Sequence, residues 1–115
     1  MPARLRVADP EDVTAALAGE RSTADLKLLT KHFLAVLAER APGTSVEVRV
    51  PPYAAVQCVE GVRHTRGTPP AVVEMDAATW VALATGGLAW PEAERSARVR
   101  ASGERADLTP YLPLG

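Results

Sequence analysis

Apolar residues recur at two spacings along the chain, and these spacings distinguish predicted helices from predicted strands. Between residues 26 and 37 they recur every three or four positions, which is the period of an amphipathic helix. Between residues 46 and 50 valine alternates with a charged residue, as in a strand with one buried face. Residues 53–60 are fairly apolar on both faces, so we expect this second strand to lie inside the sheet. Residues 71–75 form the third predicted strand.

Short polar residues, prolines and glycines indicate where the predicted helices begin and end. Asp9 before a proline is typical of a helix start, and Ser22, followed three positions later by an aspartate, has the spacing of a capping box. Asp76 is placed to cap a third helix, which two adjacent glycines end. Pro91 suits the first turn of a short fourth helix, and residues 98–101 alternate as a last strand.

The order of these elements indicates the fold class. Helices, then a run of strands, then helices around one more strand are typical of an α+β domain. The connections between the first strands are too short for a crossover helix, so we expect hairpins and a mainly antiparallel sheet. A chain of 115 residues has the length of one domain, and we assign residues 1–115 to a single domain.

Charge and composition exclude several classes of protein. A net charge of −1 and a pI near 6.1 give no overall field that would attract nucleic acid or an anionic membrane surface. No apolar run is long enough to span a membrane and no secretory signal is present, so we expect a cytoplasmic protein without stable membrane insertion. The single cysteine, Cys58, cannot form an intramolecular disulfide, which also favours a reducing compartment.

The residues that could catalyse a reaction or bind a metal lack the necessary spacing. His32, Cys58 and His64 form none of the short ligand motifs of metal sites, and we expect neither a metal nor a cofactor. Cys58 alternates with apolar residues on its strand and is interpreted as a small buried hydrophobe. The acidic pairs near residues 11 and 93 fall at helix starts, where the helix dipole accounts for them. We therefore expect no catalysis by the chain alone.

Two groups of residues remain as candidate sites. Trp80 and Trp90 lie in a half of the chain otherwise built from small apolar residues, so they either fill the core or line an apolar cavity between sheet and helices. The predicted cavity residues are Val56, Val73, Trp80, Leu83 and Trp90. The second group, Arg63, His64 and Arg66, places three potential cations in a loop bounded by glycine and proline. This loop is either a solvated turn or a contact for an anion or an acidic partner.

A series of short motifs extends over most of the chain. Residues 76–80 place an acidic residue at a helix start, residues 86–88 close that helix with glycine, and residues 98–108 carry a short strand, a glycine turn and a final helical segment. This order resembles the sterol carrier protein superfamily. Residues 45–61 and the basic glycine-proline loop at 63–70 look like the small bacterial branch of that superfamily, found in actinobacteria.

The resemblance implies a five-stranded sheet covered on one face by helices, with an apolar cavity between them. Eukaryotic members of the superfamily carry fatty acyl chains or sterols there, and related domains support thiol-dependent isomerases and acetyltransferases. The first hypothesis is therefore a non-catalytic module that binds or carries a lipid or another apolar or amphipathic small molecule. The alternative is an accessory domain that contacts a separately encoded enzyme, such as a thiol-dependent isomerase. A third hypothesis is a stand-alone isomerase-like enzyme that uses Cys58 or His64.

Overall fold

The structure is a computed structural model, and it describes residues 5–61, 71–103 and 106–114. Along the chain its elements are α1 (Pro10–Ala18), α2 (Thr23–Arg40), β1 (Val46–Val50), β2 (Ala54–Cys58), β3 (Ala71–Met75), α3 (Ala77–Thr85), α4 (Trp90–Arg95), β4 (Val99–Ser102) and a closing 3-10 turn (Thr109–Tyr111). The predicted α+β class is confirmed. In the part of the chain that is described, no helix is both long and apolar enough to cross a membrane.

The helix ends follow the predicted capping residues. The backbone N–H of Asp25 donates to Ser22 Oγ at 3.2 Å, and the N–H of Ser22 donates to Asp25 Oδ2 at 3.3 Å, which completes a capping box. Asp76 Oδ1 accepts the N–H of Thr79 at 2.8 Å and caps α3. Gly86 ends α3 in the left-handed conformation, with φ of 86°. The starts of α2 and α3 are therefore fixed by local sequence.

The order of strands in the sheet is β2-β1-β3-β4, which corrects the predicted topology. β1 pairs antiparallel with β2 but parallel with β3, and β3 pairs antiparallel with β4. The predicted five strands are corrected to four among the described residues, and the sheet is mixed, with two antiparallel pairings and one parallel pairing. The physical reason is that β3 does not extend the hairpin beyond β2 but pairs with the other edge of β1. Residues 51–70, which include β2, together make the long connection that a parallel pair requires.

The position of β2 is a second correction. β2 was expected inside the sheet, but it is an edge strand. Its outward residues Ala55 and Gln57 are exposed, and Val56 on its inner face is only half-buried. The apolar character of both faces came from alanine, which is small enough to be exposed at little cost and so does not require burial.

The two faces of the sheet differ in burial. Val46, Val48 and Val50 of β1 point to the inner face and are fully buried, and on β3 Val73 shares this face. α2 contacts β2 and α3 on this side, so the apolar core lies between the sheet and the helices. The outer face carries rows of polar residues, and its members are exposed or half-buried. The burial agrees with helices that cover one face of the sheet.

Candidate functional site

The five residues predicted to line an apolar cavity come together in one core. Val73, Trp80, Leu83 and Trp90 are buried members of a single hydrophobic cluster, and half-buried Val56 packs against it. They come from β2, β3, α3 and the start of α4, so the fold collects them from both layers. The interior between the sheet and the helices is the candidate ligand site.

Trp80 connects two helices of this core, α2 and α3. Its side chain is fully buried, as predicted, and its indole Nε1 donates to the backbone carbonyl oxygen of Thr30 on α2 at 3.3 Å. Leu83 lies about one turn further along α3 and is 1% exposed. Trp80 therefore satisfies its polar atom and packs its large ring between α2 and α3.

Three buried polar side-chain atoms in this region lack a hydrogen-bond partner among the described residues. They are the indole Nε1 of Trp90 and the hydroxyl oxygens of Thr30 and Thr79. The Thr79 hydroxyl still lies close enough to Asp76 to help its backbone N–H lower the pKa of that carboxyl group. A buried polar group without a partner costs about 1–3 kcal/mol. Trp90 is the largest of the three side chains, and only 3% of it is exposed.

Four surface depressions lie away from the predicted cavity residues. The surface depressions that described residues line on α1, at the turn after β1, beside β4 and against α2 include none of the five predicted cavity residues. Protein interiors are close-packed, so a ligand would have to separate side chains that touch in this conformation.

The side chains of Cys58 and His32 pack against neighbouring residues, Cys58 fully buried and His32 half-buried. Cys58 is fully buried on the inner face of β2, and burial raises the pKa of its thiol to about 11. His32 Nδ1 accepts the backbone N–H of Ala8 at 3.0 Å, and its ring meets the Phe33 ring edge-on with centroids 4.9 Å apart. Burial lowers the pKa of His32, and the charge of Glu39 opposes this effect. Among the residues with described positions, no group of three or more His, Cys, Asp or Glu is placed to hold a metal.

The predicted basic loop cannot be placed relative to this interior. Arg63, His64 and Arg66 all lie outside the described residues. Their assignment as a contact for an anion or an acidic partner stays a prediction.

A depression against α2 was missed by the sequence reasoning. It lies between the segment before α1 and the first half of α2, and is lined by Arg6, Ala8, Ala24, Lys27, Leu28, Lys31 and His32. In the sequence, Lys27 and Lys31 lie away from the apolar stripe of α2. The four-residue spacing of the two lysines was a visible signal, but the contact between Ala8 and His32 joins residues 24 positions apart.

Comparison with known proteins identifies one protein family. A family model described as "Bacterial SCP ortholog" matches residues 20–114. The match includes every described strand and the helices from α2 onward, and it leaves α1 and the segment before it outside. No curated protein matches the chain.

Proposed function

The chain belongs to the bacterial SCP ortholog family, and from this premise we propose that it is a non-catalytic module that binds or carries a lipid or another small apolar molecule. The proposed site is the apolar interior between the sheet and the helices. The residues proposed to contact the ligand there are Val56, Val73, Trp80, Leu83 and Trp90.

The observation that carries this proposal is the buried indole N–H of Trp90. It is a hydrogen-bond donor buried in the hydrophobic core, with no partner among the described residues. Buried polar groups are normally paired, because an unpaired one loses its bond to water without replacement. A ligand with an apolar body and one oxygen acceptor would fill the core and bond to this N–H. Ligand sites commonly combine apolar walls with a few polar groups in this way.

α4 is the element that we expect to move when the ligand enters. It contains six residues, and its first residue is Trp90. No side chain bonds to the backbone at its N-cap, Ala89, so the start of the helix has no capping bond. Short elements with few stabilising bonds open locally at the lowest free energy. Opening of α4 would expose the Trp90 ring and the core behind it.

The state of Cys58 supports a non-catalytic role. The thiolate, and not the thiol, is the nucleophile of thiol chemistry. Burial raises the pKa of Cys58 to about 11, so its thiol is neutral near pH 7. The side chain is also fully buried on β2, out of contact with solvent. Cys58 is therefore proposed to fill the core.

Indole NMR of the delipidated protein tests the proposal. Palmitate, cholesterol and phosphatidylcholine are titrated in turn while the indole N–H resonances of Trp80 and Trp90 are followed. The proposal expects at least one of them to bind at one molecule per chain and to shift the Trp90 resonance. It is contradicted if none of the three shifts either resonance at saturating concentration.

A pair of matched variants identifies the donor. Trp90→Phe keeps an aromatic ring but removes the unpaired N–H, so affinity for the bound lipid should fall about fivefold, as for the loss of one hydrogen bond. Trp80→Phe removes an N–H that already bonds to Thr30, so it should leave that affinity closer to wild type. Equal affinities of wild type and Trp90→Phe would remove Trp90 from the proposed site.

A second candidate function is that of an accessory domain for a separately encoded enzyme. The observation that favours it is the outer face of the sheet, where Arg49, Glu74 and Arg100 lie in one row across three strands. Arg49 and Arg100 are exposed, which leaves a charged flat surface available to a protein partner. Co-purification of one enzyme subunit with the wild type, abolished in Arg100→Glu, would favour this function. Co-purification that is unchanged in the variant would contradict this use of the outer face.

A further inference from the structure

The depression against α2 has the dimensions of a small-molecule site. Its volume is about 360 Å³. Sites for small ligands occupy about 300–1,000 Å³, so this depression is near the lower limit. It lies on the surface beside the first half of α2 and includes none of the five residues proposed to contact a ligand in the interior, although Leu28 also packs against the core.

Specific contacts hold both walls of this depression in place. On one side, the Ala8 N–H bonds to His32 Nδ1 and fixes the segment before α1 against α2. The His32 ring is itself held edge-on against Phe33, which is buried in the core. On the other side, the capping box of Ser22 and Asp25 fixes the start of α2. The depression is therefore part of the folded structure.

Among the described residues that line the depression, three are cations and none carries a carboxylate. Arg6 and Lys27 are exposed, and Lys31 is half-buried. The ion pairs between described side chains are Arg49–Glu47 and Arg95–Glu92, and both lie elsewhere. Lys27 and Lys31 are four residues apart on α2, and like charges at that spacing repel by roughly 0.2–0.5 kcal/mol. A bound anion would neutralise the three charges and relieve this repulsion.

The remaining lining residues are largely apolar. Ala8, Ala24 and Leu28 line the depression together with the charged groups, and Val7, which is 43% exposed, belongs to the same segment as Ala8. A fully hydrated ion would gain nothing from these side chains, whereas an apolar group would be partly removed from water. The lining thus combines three cations with three apolar side chains.

We propose that this depression binds a phosphate monoester attached to a small apolar body. A phosphate monoester carries a charge of about −1.5 to −2 at pH 7, which matches three lining cations better than the single charge of a carboxylate does. Arg6 offers a planar fork for two phosphate oxygens, and the lysines bind phosphate as point charges. The site goes beyond the proposed function, and its first wall precedes residue 20, where the family match begins.

Titration with hexyl phosphate, followed by backbone amide NMR, tests this proposal. Inorganic phosphate supplies the head alone, hexanol the body alone, and hexanoate the same body with one charge. We expect hexyl phosphate to shift the amides of Ala8, Ala24 and Leu28, and to bind at least fivefold more tightly than each of the three comparison compounds. Its affinity should fall as salt rises, because the cations are accessible to solvent.

A matched pair of variants locates the charge. Lys27→Gln should weaken hexyl phosphate binding at least threefold. Arg40→Gln also removes one exposed positive charge from α2, but from its last turn, and should leave the affinity unchanged. The proposal is overturned if the two variants weaken binding equally, or if hexanoate binds as tightly as hexyl phosphate. Shifts confined to the Trp80 and Trp90 indoles would also overturn it, because the ligand would then occupy the interior.

Discussion

Asp76 illustrates how a single side chain determines where an element begins. Its carboxylate accepts the Thr79 N–H at 2.8 Å, and this bond holds the pKa of Asp76 below its ordinary value. Asp76→Ala should lower the free energy of unfolding at pH 7 by about 1 kcal/mol, as for the loss of an N-cap. Chemical denaturation of the wild type and the variant measures this difference.

The same cap gives a pH dependence with a definite sign. Because the folded pKa of Asp76 is lowered, its stabilisation is fully present above the unfolded value near 3.8 and is lost as pH falls through the folded value. The difference between wild type and Asp76→Ala should therefore shrink below about pH 3.8. Asp76→Asn, which keeps a capping oxygen without the charge, should lose little at pH 7. A difference that stays constant from pH 7 down to pH 2 would contradict the role of the carboxylate.

Cys58 provides a second test at the scale of one residue. Its thiol is fully buried and its pKa is raised to about 11 by that burial. Iodoacetamide at pH 8 should therefore alkylate the native protein only as fast as the protein opens, and should modify the unfolded protein in denaturant rapidly. Mass spectrometry of timed samples follows the reaction. Rapid alkylation of the native chain would mean that the thiol is accessible and would revive the isomerase-like hypothesis.

Among the secondary structure elements, α2 and α3 depend on each other through Trp80. The ring is fully buried and its Nε1 bonds to the Thr30 carbonyl on the opposite helix. Trp80→Ala should lower the free energy of unfolding by about 3–5 kcal/mol, the usual cost of truncating a large buried aromatic residue. Trp80→Phe serves as the control, because it keeps most of the ring volume and should cost clearly less. A melting temperature unchanged in Trp80→Ala would contradict the packing of α3 against α2.

The elements themselves were largely predictable from sequence, but their arrangement in the sheet was not. The signals at Ser22 and Asp76 act within three residues, so the sequence near each helix start contains all the necessary information. The parallel pairing of β1 with β3 instead joins segments from Val46 to Ala71, across the whole of β2. Loop length alone favoured hairpins. The deciding factor is that β1, whose three valines are fully buried, has a neighbouring strand on each side, which only tertiary packing reveals.

At the scale of the whole molecule, the sheet separates an apolar side from a polar side. The helices cover the core on one face of the sheet. The opposite face of the sheet carries rows of charged and small residues. The burial of Val73, Trp80 and Leu83 was predictable because their alternation and helical spacing point them to the enclosed face. The depression against α2 was not predictable, since one of its walls depends on the bond from Ala8 to His32. One small fold thus contains two proposed binding sites, one in the interior and one in an external depression.

The central claim is that the interior between sheet and helices holds an apolar small molecule. Native mass spectrometry of the chain purified from its own host, under conditions that preserve a reference lipid complex, tests it most directly. We expect one small molecule per chain, recovered by extraction into organic solvent and reduced in amount in Trp90→Phe. A bare chain under those same conditions, or a co-purifying enzyme subunit in place of a small molecule, would contradict it.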